Sequence, residues 1–71
     1  MSELWLRVIK RMSCEDLQKE YEMLSVDAFQ MIEELELSEF SRGELKKYIN
    51  SRIKIIEEIA KEKDCILKKI K

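Results

Sequence analysis

The sequence predicts an all-α protein, a short N-terminal helix followed by a long antiparallel helical hairpin, forming a three-helix bundle or a hairpin that dimerises. Three observations predict it. Proline is absent and Gly43 is the single glycine among 71 residues, which leaves few places for the turns a sheet requires. Apolar residues make up 45% of the chain and charged residues 41%, so most positions are either core or solvated. Apolar residues also recur at spacings of three and four, the period of a helix face. Residues 1–71 are expected to form one domain, near the size at which a core alone stabilises a monomer.

The first element, about 2–11, puts Leu4, Trp5, Val8, Ile9 and Met12 on one face. That stripe does not run in phase into Cys14 and Leu17, so the chain is expected to break at Ser13. Ser13 can cap a second helix, about 14–36, with Asp16 in the capping-box position and Met12 packing on Leu17 as a hydrophobic staple. Its seam is Cys14, Leu17, Tyr21, Leu24, Ala28, Met31 and Leu35, the spacing of a helix packed along one partner. The same grammar recurs at Phe40-Ser41-Arg42-Gly43-Glu44-Leu45, with Ser41 as cap, Glu44 answering it and Phe40 stapled to Leu45. It predicts a third helix, about 42–70. The stripe of that helix runs from Leu45 through Tyr48, Ile49, Ile53, Ile56, Ile59 and Ala60 to Ile66, Leu67 and Ile70, interrupted by Arg52 and Lys63. A face this wide touches two neighbours, and the interrupting side chains can snorkel.

Residues 36–41 form a connection short enough for antiparallel neighbours. Setting Leu35 opposite Leu45 matches Met31 with Ile49, Leu24 with Ile56 and Tyr21 with Ile59, and every pair is apolar. The same register brings Cys14 near Cys65. The two cysteines can form a bridge or serve as small apolar fillers, and the second reading suits a cytosolic chain. Two cysteines without histidine cannot complete a tetrahedral zinc site.

Charge is divided along the chain. Residues 1–41 carry four basic and ten acidic residues, and residues 42–71 carry ten basic and five acidic. Halves of opposite sign attract as they fold together, in one chain or across a dimer. The longest uninterrupted apolar run is three residues, Leu4 to Leu6. Neither a membrane span nor a secretory signal is therefore expected, and the reading is a cytoplasmic protein with no membrane partner.

The chain has no histidine, which removes the commonest general base near neutral pH. No glycine-rich phosphate cradle is present, and Glu33, Glu34, Glu36 and Glu39 lack the spacing of a calcium loop. No enzyme activity, metal or cofactor is expected. Met23, Val26 and Phe29 form a ridge on the back of the second helix, away from its seam. Folding the first helix back would cover Met23 and Val26, leaving Phe29 beyond reach. Partner-binding candidates are therefore Trp5, Met23, Val26, Phe29, Leu37 and Phe40. The basic residues Arg7, Lys10, Arg11, Lys61, Lys63, Lys68, Lys69 and Lys71 gather at the open end. With a pI of about 5.5 and no recognition helix, direct nucleic-acid binding is not expected.

Residues Trp5 to Glu22, with an aromatic-Leu start, basic residues at Lys10 and Arg11 and a Ser13-capped helix, resemble the opening of the Hha/YmoA family. A looser echo covers Glu44 to Arg52, but Asn50-Ser51-Arg52 stands where that family has a buried acidic-His-Arg triplet. The resemblance spans about a third of the chain. It implies a helical modulator that binds a nucleoid-associated protein, with its partner-binding acid missing. The residues themselves point to a regulatory or adaptor protein that binds a larger protein through a helical face. The competing expectation is a structural protein that self-assembles as a homodimer through the broad third stripe.

Overall fold

The computed structural model describes residues 3–68 and contains only helices and connections among them. Helix α1 is Glu3–Arg11. A second helical rod, α2, covers residues 14–34 as three consecutive stretches: α-helical Cys14–Glu22, π-helical Met23–Asp27 and α-helical Ala28–Glu34. Helix α3 is Glu39–Glu62. The expected features at Ser2, Lys69, Ile70 and Lys71 lie outside the described residues.

The break between α1 and α2 follows the local sequence. Ser13 is extended, and its Oγ accepts a hydrogen bond from the Asp16 N–H at 3.1 Å. One orphan donor of the first turn is thereby satisfied. Met12 packs on the core that contains Leu17.

The π stretch sets the phase of everything after it. Ala28 N–H reaches back five residues to the Met23 carbonyl. One added residue in a turn rotates the following side chains by about 100° relative to an unbroken α-helix. Ile32 thus enters the core at 4% exposure and Phe29 packs half-buried against it, while Met31 stands 61% exposed and Leu35 is also exposed. The expected seam therefore holds through Leu17, Tyr21 and Leu24 and fails beyond Ala28. Phe29, expected on the outer ridge, is turned inward by the same rotation. A phenyl ring and a branched chain leave water, each burial worth about 1.5–3 kcal/mol when complete. Ser25, Val26 and Asp27 are weak helix formers, so the slip falls where α-helical preference is low.

Both ends of α3 differ from expectation. Ser38 is the cap, its Oγ accepting from Ser41 N–H at 3.2 Å. Ser41 is thus the capped residue, already inside the helix. Glu39 is the acid at the first position, where the helix dipole favours it, and Phe40 at 77% exposure is not covered by Leu45. At the other end Asp64 takes a left-handed conformation, φ 59°. Asp64 N–H then bonds to Lys61 O at 3.1 Å and Cys65 N–H to Ala60 O at 2.7 Å. These two bonds form a Schellman motif, which satisfies the last carbonyls and stops the helix. Residues 65–68 are non-helical, in place of the helix expected to reach 70.

The Schellman turn sends the chain back toward the start of α2, where Cys65 and Cys14 form a disulfide with Cα atoms 5.5 Å apart. The cysteines are therefore not reduced apolar fillers, and Cys14 is exposed. The bridge closes a loop spanning 51 residues, which removes chain entropy worth about 4 kcal/mol from the unfolded state. Nineteen residues on from Cys14 is Glu33, and nineteen back from Cys65 is Lys46; these pair at 3.1 Å.

Helix α1 lies against α3 and does not cover the Met23–Val26 ridge, both of whose residues remain exposed. Ile9 is fully buried, with Trp5, Leu6 and Met12 packed beside the core; Leu4 and Val8 face water. Trp5 stacks on the Arg52 guanidinium, 4.1 Å from the ring centroid, and Tyr48 approaches the same group at 4.8 Å. Cation–π contacts of this kind contribute about 0.5–2 kcal/mol. Near the other end of α1, Lys63 Nζ donates to the Met12 carbonyl at 2.6 Å. The buried core comprises Ile9, Leu17, Tyr21, Leu24, Ile32, Ile49, Ile56, Ile59 and Ala60.

The π phase makes adjacent residues unequal. Ile32→Ala is expected to cost about 2–4 kcal/mol and Met31→Ala less than about 0.5 kcal/mol in urea unfolding. Ser38→Ala is expected to cost about 1 kcal/mol by the same assay, with Ser41→Ala costing less.

Candidate protein-binding face

The outward side of α2 carries apolar residues that none of the described residues covers. Met23 is 45% and Val26 38% exposed, and together with Lys19, Glu22 and Asp27 they line a shallow hollow. Asp27 continues into a second hollow with Gln30, Met31 and Glu34. The two hollows share Asp27 and lie end to end along the helix. The result is a ridge of Met23, Val26 and Met31 bordered by the carboxylates of Glu22, Asp27 and Glu34. Thioether side chains adapt to varied apolar surfaces because they are unbranched and polarizable.

Of the six residues singled out by sequence, Met23 and Val26 belong to this face. Trp5 is half-buried against Arg52, and Phe29 is packed on the core. Leu37 lies half-buried in the connection, its N–H bonded to Leu35 O at 3.0 Å. Phe40 is exposed at the start of α3. The structure therefore does not gather the six into one surface. Met31 belongs to the face, although its spacing from Leu24 and Ala28 predicts a place in the seam. The signal against that place is Phe29, an aromatic residue that an unbroken α-helix would leave on the outer side.

The electrostatics near the turn end of α2 have one resolved feature. Glu33 is held below the ordinary carboxylate range, first by the hydrogen bond from Lys46, then by the Lys46 charge and the more distant charge of Arg42. Neither partner is buried, as both side chains keep substantial exposure, so solvent screens the pair. Among the described residues no group of three Cys, Asp or Glu side chains is placed to hold a metal ion. No described helix is long and apolar enough to cross a membrane.

Comparison with protein-family models, with curated proteins and with solved structures found no match. The likeness of residues 5–22 to the Hha/YmoA family is thus not accompanied by a family-model match.

Because the Glu33 pKa is depressed by folding, its stabilising effect is complete above the ordinary carboxylate pKa. It is lost as pH falls through the lower folded value. Glu33→Gln is therefore expected to flatten the acid limb of stability against pH, with little change in that limb's position from Glu36→Gln. Urea midpoints measured across the acid range check this.

Proposed function

We propose that this chain is a non-enzymatic adaptor or regulatory protein, and that the outward face of α2 receives a basic amphipathic helix of a larger protein. In this reading α2 and α3 form an antiparallel helical hairpin, and α1 along α3 completes a small three-helix bundle. The bridge and the Glu33–Lys46 pair at its two ends support that arrangement.

The observation that carries the function is the uncovered ridge of Met23, Val26 and Met31 with its acidic border. An apolar stripe flanked by carboxylates is complementary to a helix whose own apolar stripe is flanked by Lys or Arg. Apolar contact supplies affinity, and opposite charge supplies orientation and a fast approach. Catalysis has no support in the side chains present, since histidine is absent.

A synthetic leucine–lysine amphipathic helix, labelled for fluorescence anisotropy, is the probe. It is expected to bind the oxidised protein with an affinity that falls with added salt, and a leucine–glutamate counterpart is expected not to bind. Met23→Ala with Met31→Ala should weaken binding by about tenfold or more, a loss of about 1.4 kcal/mol. Glu22→Gln with Asp27→Asn should reduce the salt dependence. Equal binding of both peptides, or no effect of the methionine changes, would overturn the reading. Sedimentation equilibrium supplies the other decision: self-association abolished by the same methionine changes would assign the face to a second copy of this chain.

A further inference from the structure

Residues 63–68 are fastened to α2 by a device that the binding face does not use. After the Schellman turn at Asp64, Cys65 is bonded to Cys14, the first residue of α2. Three residues later the Gln18 side-chain amide grips the backbone of Lys68 from both sides. Its Nε2 donates to Lys68 O at 3.0 Å and its Oε1 accepts from Lys68 N–H at 2.8 Å. The amide thus pairs with a peptide group as a neighbouring strand would. Between these two fastenings Ile66 stands 93% exposed, and Leu67 is half-buried. Among the described residues every fully or nearly fully buried core residue lies at or before Ala60, while Cys65 and Leu67 pack against that core partly buried. The strap is therefore held by a covalent bond, one side-chain amide and the edge contact of Leu67, and none of its described residues is fully buried.

We infer that Cys14–Cys65 is a thiol–disulfide exchange site, open to a dithiol reductant in the folded protein, whose reduction releases the strap at residues 65–68 while the helices persist. Three properties of the site lead there. Cys14 is exposed, so a reductant reaches the bond without unfolding the chain. Cys14 also occupies the first position of a helix capped by Ser13, where free backbone N–H groups and the helix dipole favour a thiolate. Finally, the strap's Cys65, Ile66 and Leu67 share a hollow with Glu57, Ala60 and Lys61 of α3, so its release uncovers an apolar surface.

The chemistry balances with the dithiol alone. One thiolate of the reductant attacks a sulfur of the bridge, forming a mixed disulfide and expelling the other cysteine as thiolate. The reductant's second thiolate then closes its own disulfide and expels the remaining cysteine. Two electrons and two protons pass to the protein, leaving Cys14 and Cys65 as thiols and the reductant oxidised.

The inference is independent of the binding face, because its readouts involve no peptide ligand. The full chain, isolated without reductant, is treated with dithiothreitol in the absence of denaturant and then alkylated. Two alkylations are expected by mass, together with retained helical circular dichroism. Hydrogen exchange at the Lys68 amide should rise by about tenfold or more, with protection kept at Ile56 and Ile59. In the oxidised protein, Gln18→Ala should speed exchange at Lys68 without making the thiols reactive. Free thiols in the protein as isolated, resistance to dithiothreitol until denaturant is added, or loss of helicity on reduction would each overturn the inference.

Discussion

Nine of the described residues carry the core, and the physical constraint behind the molecule is the phase of α2 beyond Leu24. At about 100° per residue an unbroken α-helix would keep Met31 and Leu35 on the side of Leu17, Tyr21 and Leu24 and turn Phe29 well away from it. The five-residue reach from Ala28 N–H to Met23 O shifts that phase, so that Phe29 and Ile32 face the core while Met31 and Leu35 stand exposed. In a core this small no buried side chain has a substitute. The insertion therefore decides which half of α2 is core and which is surface. It also decides where Glu33 lies relative to Lys46.

The same rotation produces the face proposed for binding. Turning Phe29 and Ile32 inward necessarily turns Met31 outward, into line with Met23 and Val26. Core and surface are two consequences of one backbone feature. The acidic border comes from the composition of the first half of the chain, which carries ten acids against four basic residues. The Glu33–Lys46 ion pair crosses from that half to the basic half. At the other end of the molecule, the disulfide supplies the staple that so short a chain requires. It does so at the margin of the core, against which Cys65 packs partly buried.

Much of the architecture is legible in short-range signals. The Ser13 cap, the break before it, the burial of Leu17, Tyr21, Leu24, Ile56 and Ile59, and the proximity of Cys14 to Cys65 depend on residues a few positions apart or on one simple register. Signals that compete locally are harder to read. Ser38 and Ser41 both carry an acid or serine at a suitable spacing, and the cap falls to the one that lengthens α3. Lys63-Asp64-Cys65 contains no glycine to announce a helix stop. Asp64 nonetheless accepts the left-handed conformation that short polar side chains tolerate better than most.

Taken by itself, the sequence determined the helical class, the number of helices, the first cap and the core positions of α2 through Leu24, because capping and periodicity are local and additive. The tertiary structure alone decided the phase of α2 beyond Leu24, the placement of α1 on α3, the end of α3 at Glu62 and the joining of Cys14 to Cys65. Each of these compares whole-chain alternatives of nearly equal local cost. Burying Phe29 and Ile32 in place of Met31 and Leu35 is a choice that only the shape of α3 and the position of α1 can make. The candidate face is the remainder of that choice, which is why periodicity alone puts one part of it, Met31, in the core.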